Sequence, residues 1–363
     1  MITSDPFEPV AAGAANLYTV EHFEQVRGRL APGGIVAQYV PLYELSKENY
    51  ATIIKTFVHV FPTSMLFHTG FDTILVGWKG DCAVDFGSIA RKFDIPSVQQ
   101  SLADVGFESP DSILDMLVGD MKEAVLPPYA ELNTDGHPVI EFSAPKNTLR
   151  YMPDTNQRIL LTCFTGIPDR WIAGVSPEVA QRIKGSHEAL RRTLASSVCR
   201  ADGENEKAFG LLMQAIEMAP RSAVVRNEFV SFMLSSADNL MNAGELQEAS
   251  MQYQVVLNYS PDEFWPLYHM VNLAMRANAT SVASGFLDRG LRAYPDSPLF
   301  IALRGKYKGT LGYVRGACED LRTAIGQLPE KADLWEDYAF FLKAAGYEKD
   351  AERAQAEANR LRL

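Results

Sequence analysis

The chain has 363 residues, is 47% hydrophobic and carries a formal net charge of -11. An acidic chain is poorly suited to gripping nucleic-acid phosphates, which call for clustered Lys and Arg, and no apolar run reaches the ~18 residues of a membrane-spanning helix. The length predicts two domains with cores of their own.

The charge is uneven. Residues 1–188 hold 14 Lys and Arg against 23 Asp and Glu, and residues 189–363 hold 20 against 22, so the acidity sits in the first half. Such a surface repels nucleic acid and would attract a cationic amine, although simple solubility is the plainer account of it. The four cysteines, Cys82, Cys163, Cys199 and Cys318, are far apart and show no metal-ligand spacing. They read as thiols of a reducing compartment, which places the chain in the cytoplasm. The start, Met-Ile-Thr-Ser-Asp, has no basic region followed by an apolar stretch, so no secretory leader is expected.

In chain order, Ile2-Thr3-Ser4 is a short strand running into the turn Asp5-Pro6-Phe7-Glu8-Pro9, which sets two carboxylates three positions apart at a strand's carboxyl end. That is where open α/β sheets bind ligands. Ala14–Thr19 predicts a turn, Val20–Leu30 an amphipathic helix, Ala31-Pro32-Gly33-Gly34 a stop, and Ile35–Val40 a second strand. Ser46-Lys47-Glu48-Asn49 is a capping signal for a helix over Tyr50–Phe61. Met65–His68 and Thr73–Trp78 then read as a hairpin around residues 70–72. Phe86–Lys92, Ser97–Val105 and Pro110–Val118 look helical, and residues 151–188, with Pro153, Pro168 and Pro177, read as a linker.

From about residue 189 the pattern is helical and repeats. Ala249, Ala283, Ala317 and Ala351 are 34 apart, as are Pro261, Pro295 and Pro329, and Gly244, Gly312 and Gly346 fall at a third register position. This resembles the tetratricopeptide repeat: a small residue lets two antiparallel helices approach, and the proline ends the second. Ala208 and Pro220 give a further unit upstream. Pro220 to Pro261 is 41 residues, so about seven extra residues are expected near Ser235–Met241. The resemblance implies a superhelix whose face binds a protein or peptide. No polar capping helix is evident at Ala354–Leu363, so a dimer mate or other partner is expected there.

The first half resembles the polyamine aminopropyltransferases, the spermidine and spermine synthases, above all the bacterial forms fused to a membrane transporter-like domain. The resemblance is carried by Asp5-Pro6-Phe7-Glu8-Pro9, Leu17-Tyr18-Thr19 and Leu30-Ala31-Pro32-Gly33-Gly34, with Glu8 in place of the family's second Asp. Asn133-Thr134-Asp135, Pro138, Glu141-Phe142 and Ala144-Pro145 extend it to about residue 150. It implies the fold class α/β plus all-α. Residues 1–150 would be the C-terminal part of a methyltransferase-type Rossmann domain, 151–188 a linker, and 189–363 a tetratricopeptide-like solenoid. It also implies aminopropyl transfer from decarboxylated S-adenosylmethionine to an amine. Asp5 would be the proton acceptor, Glu8 and Gln38 would line the amine site, and Tyr39 and Tyr43 would wall it.

The family's Gly-x-Gly loop lies upstream of this turn, so the chain as given is expected not to hold the donor by itself. A membrane-associated domain is expected as the missing partner. The six histidines form no HxxxH or HExxH pattern, so no metal site is expected. Two rivals stand beside transfer to an amine. One is a non-catalytic scaffold that binds a partner through its repeats; the other is a different transfer from an S-adenosylmethionine-type donor.

Overall fold

The computed structural model describes residues 1–4, 11, 13–42, 45–70, 72–81, 86–147, 153–169, 172 and 174–362, the side chains of 147 and 153–155 excepted. Asp5, Glu8 and Tyr43 lie outside the described residues. By internal contacts the chain divides into two compact units, Met1–Phe229 and Val230–Leu363.

The first unit is built on a five-stranded sheet of order β1-β2-β4-β3-β5: β1 Ile2–Ser4, β2 Ile35–Pro41, β3 Ser64–His68, β4 Asp72–Trp78 and β5 Leu117–Asp120. β1 and β2 are parallel, with Ser4 beside Gln38, and the chain between them forms α1 (Val20–Arg29). The Thr19 side chain starts α1 by accepting from the His22 amide at 3.2 Å. Lys79 closes the glycine turn into β2. Its amide donates to the Gly34 carbonyl, its carbonyl accepts from Gly33, and Gly33 sits at φ 69°.

α2 (Lys47–Val60) begins three residues earlier than the apolar pattern predicts, because Ser46 is itself the cap and accepts from the Asn49 amide at 3.3 Å. Its apolar stripe, Ile53, Ile54, Phe57 and, just past its end, Phe61, is fully buried against the sheet. β3 and β4 form the expected antiparallel hairpin, and β4 inserts between β2 and β3.

The helix expected over Pro110–Val118 is corrected. Pro110–Met116 is a 3-10 helix, and the chain then straightens into β5 against β3. Leu117, Val118, Gly119 and Asp120 are all buried. Gly119 is needed there, since a Cβ would lie 2.9 Å from the Thr165 amide nitrogen. α3 (Phe86–Phe93) and α4 (Pro96–Ala103) fall where expected. The span 151–188, read as a linker, holds α6 (Pro153–Thr162) and the first half of α7 (Pro177–Ala201), after the short α5 (Val139–Ser143). Ile159, Leu160 and Cys163 join the sheet's core. α8 (Asn205–Met218) packs against α7, with Ala208 fully buried and its carbonyl accepting from Ser196 at 2.7 Å.

Every regular element among the described residues of the second unit is a helix. α9 (Ala223–Ala243) enters it and is followed by α10 (Leu246–Tyr259), α11 (Phe264–Arg276), α12 (Thr280–Ala293), α13 (Pro298–Thr310), α14 (Val314–Gln327), α15 (Ala332–Ala344) and α16 (Glu348–Leu361). These are tetratricopeptide-like helical pairs. Ala249, Ala283 and Ala317 are fully buried at the close approaches, and Ala351 nearly so. Each first helix ends in a Schellman-type turn, with a residue in the left-handed region and an amide reaching back five residues, as Tyr313 N does to Lys308 O at 2.9 Å. Gly244, Gly312 and Gly346 take that conformation, and Asn278, at φ 55°, supplies the missing member of the series.

The extra residues before Pro261 lengthen α9 to 21 residues, against 13 for α11, α13 and α15. At the far end, Gln355 of α16 is exposed where Tyr253, Leu287 and Leu321 are buried in the equivalent helices. α16 therefore turns a polar face outward, where no polar capping helix was expected.

Candidate functional site

The first candidate is the expected amine site along β1 and β2. Of its expected residues, Gln38 and Tyr39 are described. Gln38 is 1% exposed and its Nε2 donates to the Tyr39 carbonyl at 3.0 Å, so its amide is spent on its own strand. Tyr39 is half-buried. Nearby, Tyr50 Oη and Thr73 Oγ1 are 3.0 Å apart, and Thr73 donates onward to the Val40 carbonyl at 2.9 Å. These bonds lock β2, β4 and α2 together.

The second motif behind the aminopropyltransferase resemblance has a structural role. Asn133 is fully buried. Its Nδ2 donates to the carbonyls of Ala15 (3.3 Å) and Tyr18 (3.1 Å), its Oδ1 accepts from the Ile140 amide (3.2 Å), and its amide donates to Thr56 Oγ1 (3.0 Å). Glu141 accepts from the Gly13 amide at 3.1 and 3.2 Å, and Glu21 accepts from the Asp135 amide at 2.9 Å. Asn133 thus satisfies backbone groups that a buried connection would otherwise orphan, while the Glu141 and Glu21 bonds lie at the surface.

A polar cleft of about 410 Å³ lies elsewhere in the first unit, lined by Asp111, Asp115, Arg182, Ser186 and Ser222. Arg182 Nε donates to Asp111 Oδ2 at 2.6 Å. Burial works to raise the Asp111 carboxyl, but the Arg182 and Ser109 bonds outweigh it and hold it below its usual value. Burial pushes Asp115 up to about 6, opposed by Ser186 and by the charge of Arg182, while the neighbouring Asp111 adds to the rise. Sequence reasoning missed this pair, since Asp111 and Asp115 look like ordinary helix-surface acids.

In the second unit the first helix of each pair presents one face that its own core leaves uncovered. On α11, Trp265 is 49% exposed and its ring stacks on His269 at 6.0 Å. His269 stacks in turn on Tyr253, 5.2 Å away and 11° from parallel, and Tyr253 Oη donates to Asp238 Oδ1 at 2.7 Å. Burial lowers the His269 pKa, with Asp238 opposing, and burial raises that of Tyr253. On α15, Phe340 is 67% exposed. Two periods after Trp265 comes Asp333, and Phe340 is seven residues further, so Trp265 and Phe340 occupy the same face of their helices. Lys306 on α13 holds the same register position as Phe340 and pairs with Asp337 at 2.9 Å. Glu336 on that face is held by Arg362 at 2.6 Å. The face is aromatic with mixed charge.

Among the described residues no three His, Cys, Asp or Glu side chains converge as a metal set, and no helix is long and apolar enough to cross a membrane.

No protein-family profile matches this chain, and no curated protein does. Several solved structures are similar to it. MamA (residues 41 to the end) from Desulfovibrio magneticus RS-1 is 18% identical over 48% of this chain and 95% of that one, with a TM-score of 0.37. YrrB, described as a TPR protein with an unusual peptide-binding site, is 13% identical over 48% and 86%, with a TM-score of 0.37. A further MamA crystal structure is 14% identical over 46% and 94%, with a TM-score of 0.36.

The expectation of aminopropyl transfer is overturned. Of the similar structures, YrrB is described as a TPR protein, and none of the three is described as a transferase. Within this chain the described members of the expected amine site, Gln38 and Tyr39, give a backbone-bonded amide and a half-buried ring. The amine substrate falls with the reaction. The repeat architecture itself rests on the period and paired helices of this chain.

Proposed function

We propose that this chain is a non-catalytic scaffold that binds a protein or peptide partner across the uncovered face of its helical repeats. The observation that carries this reading is that Trp265 and Phe340 are both exposed on the same face of their helices. Large aromatic side chains left about half exposed or more are costly as mere surface and are the usual anchors of protein recognition. The charged residues between them, Lys306 and Glu336, are tied in ion pairs and suit a polar rim.

In this reading the sheet of the first unit is a structural body. Its parallel pair joined through a helix, followed by a hairpin whose second strand inserts beside β2, supports a Rossmann-type ancestry. The free, buried thiols of Cys163 and Cys199 support a reducing, cytoplasmic setting.

The test is to pan a displayed random-peptide library against the full chain and against the Trp265→Ala/Phe340→Ala variant. Peptides enriched on the parent and lost on the variant are expected. Equal enrichment on both, or enrichment on neither, would overturn the reading.

A further inference from the structure

Two apolar grooves lie one repeat apart on the edge of the second unit that carries the left-handed turns. The first, of about 610 Å³, is walled by Met251 of α10, Met270 and Leu273 of α11 and Val282 of α12. The second, of about 520 Å³, is walled by Leu287 and Leu291 of α12, Tyr307 of α13, and Leu311 and Tyr313 of the turn after it. They are the same place in successive repeats: Tyr307 stands 34 residues after Leu273, and Tyr313 the same distance after Ala279, which also lines the first groove. Met251, Val282, Leu311 and Tyr313 are all exposed. None of them belongs to the face that carries Trp265 and Phe340.

Charge sets this edge apart from the chain as a whole. The charged residues lining the grooves are Arg276, Arg304, Lys308 and Asp288, three cations to one acid, in a chain of net charge -11. Arg304 and Lys308 both hold the buried Asp320, at 2.8 Å each, and with Asp288 beside them the second groove is balanced in charge. Arg276 has no ion pair among the described residues, so its guanidinium is available at the rim of the first groove.

Spacing selects the occupant's conformation. The grooves are one helix pair apart, but the first helices α11 and α13 touch directly, and packed helices lie about 8–10 Å apart, so a ligand that fills both grooves must offer an apolar group roughly every 10 Å. In an α-helix residues i and i+7 are about 10.5 Å apart and on one face. In an extended chain about 10 Å is three residues, which point to opposite faces, while two or four residues give about 7 or 13 Å.

We propose that this edge docks an acidic amphipathic helix of a partner protein, with one apolar side chain in each groove and a carboxylate facing Arg276. The proposal deepens the scaffold reading and rests on it. The Met251 and Met270 lining, soft and adaptable, suits such a guest.

The test uses the full chain and a labelled helical peptide of about 20 residues, with leucines seven apart and glutamates flanking them, read by fluorescence anisotropy. Two control peptides have the leucines five apart, or lysines for glutamates. The matched peptide is expected to bind at least about tenfold more tightly than either. Met251→Glu and Val282→Glu, at exposed positions that leave the fold intact by circular dichroism, should each weaken it about tenfold, and Arg276→Glu should shift preference toward the lysine peptide.

Equal binding of the five-apart peptide, or indifference to Arg276→Glu, would overturn the proposal. So would binding of phosphatidylcholine–phosphatidylserine vesicles abolished by the same substitutions, which would put a membrane surface here instead. If the matched peptide is lost on Trp265→Ala and not on Met251→Glu, this proposal falls and the scaffold reading stands.

Discussion

Phe300 packs so closely on Gly290 that a Cβ on residue 290 would lie 2.1 Å from the ring. This contact joins α12 to α13, and a second of the same kind, Phe341 on Gly309, joins α13 to α15. Aromatic rings seated on glycines fix how consecutive pairs stack, and hence the placement of Trp265 and Phe340. Gly290→Ala should therefore destabilise the chain by about 1–3 kcal/mol through overpacking, although alanine is the better helix former. Gly285→Ala, on the same helix with open space around it, should stabilise by about 0.5–1 kcal/mol. Urea unfolding of the two variants checks the contrast; equal effects would mean the ring contact is not tight.

The turn series gives a second expectation. Asn278 is the described non-glycine residue in the left-handed region. Asn278→Gly should be neutral or slightly stabilising, and Asn278→Val should cost about 1–2 kcal/mol, because a β-branched side chain clashes there. Gly312→Ala should cost about 1 kcal/mol for the same reason. Thermal melts decide it, and a harmless Asn278→Val would contradict the turn geometry.

Asp115 gives a pH-dependent expectation. Burial raises its folded-state pKa to about 6, above the ordinary 3.8. The folded chain thus holds this proton more tightly than the unfolded one, so its stability contribution is present at low pH and is lost as pH rises from about 4 to about 6. Asp115→Asn removes that loss. Relative to the parent it should gain on the order of 1–3 kcal/mol between pH 4 and pH 7.5. A constant difference across that range would show that Asp115 is not a strained carboxylate.

His68 works in the opposite sense. Burial lowers it to about 4 from 6.5, with the Asp72 carbonyl, 3.2 Å from Nδ1, opposing. The unfolded chain takes up this proton first, so stability is lost as pH falls from about 6.5 to about 4. His68→Gln should flatten that limb by roughly 2–3 kcal/mol. Because Asp115 and His68 titrate in overlapping windows with opposite signs, the parent's profile alone conceals both. An unchanged acid limb in His68→Gln would contradict the buried neutral imidazole.

The repeats were legible because a stacked helical pair needs a small residue, a turn and a stop at fixed spacing, and alanine, glycine and proline mark them. Asn278 escaped notice because the turn was sought as glycine, and only φ reveals that asparagine serves there. β5 was misread because Pro110 and the acids after it announce a helix start, while four buried residues carry no periodicity. Function was the least legible. The Asn133 segment suggested an enzyme family, yet its side chains tie backbone to backbone. Trp265 and Phe340 look like core residues in any helical pattern, and only exposure sets them apart. Asp5 and Glu8, on which the catalytic expectation rested, lie outside the described residues.

The central claim is that the face bearing Trp265 binds a protein or peptide partner. The most direct measurement is calorimetric titration of a peptide selected on the full chain into the parent and into Trp265→Ala, with folding of the variant verified by its melt. The account predicts at least a tenfold loss of affinity, about 1.4 kcal/mol. Unchanged affinity in a folded Trp265→Ala variant would contradict it.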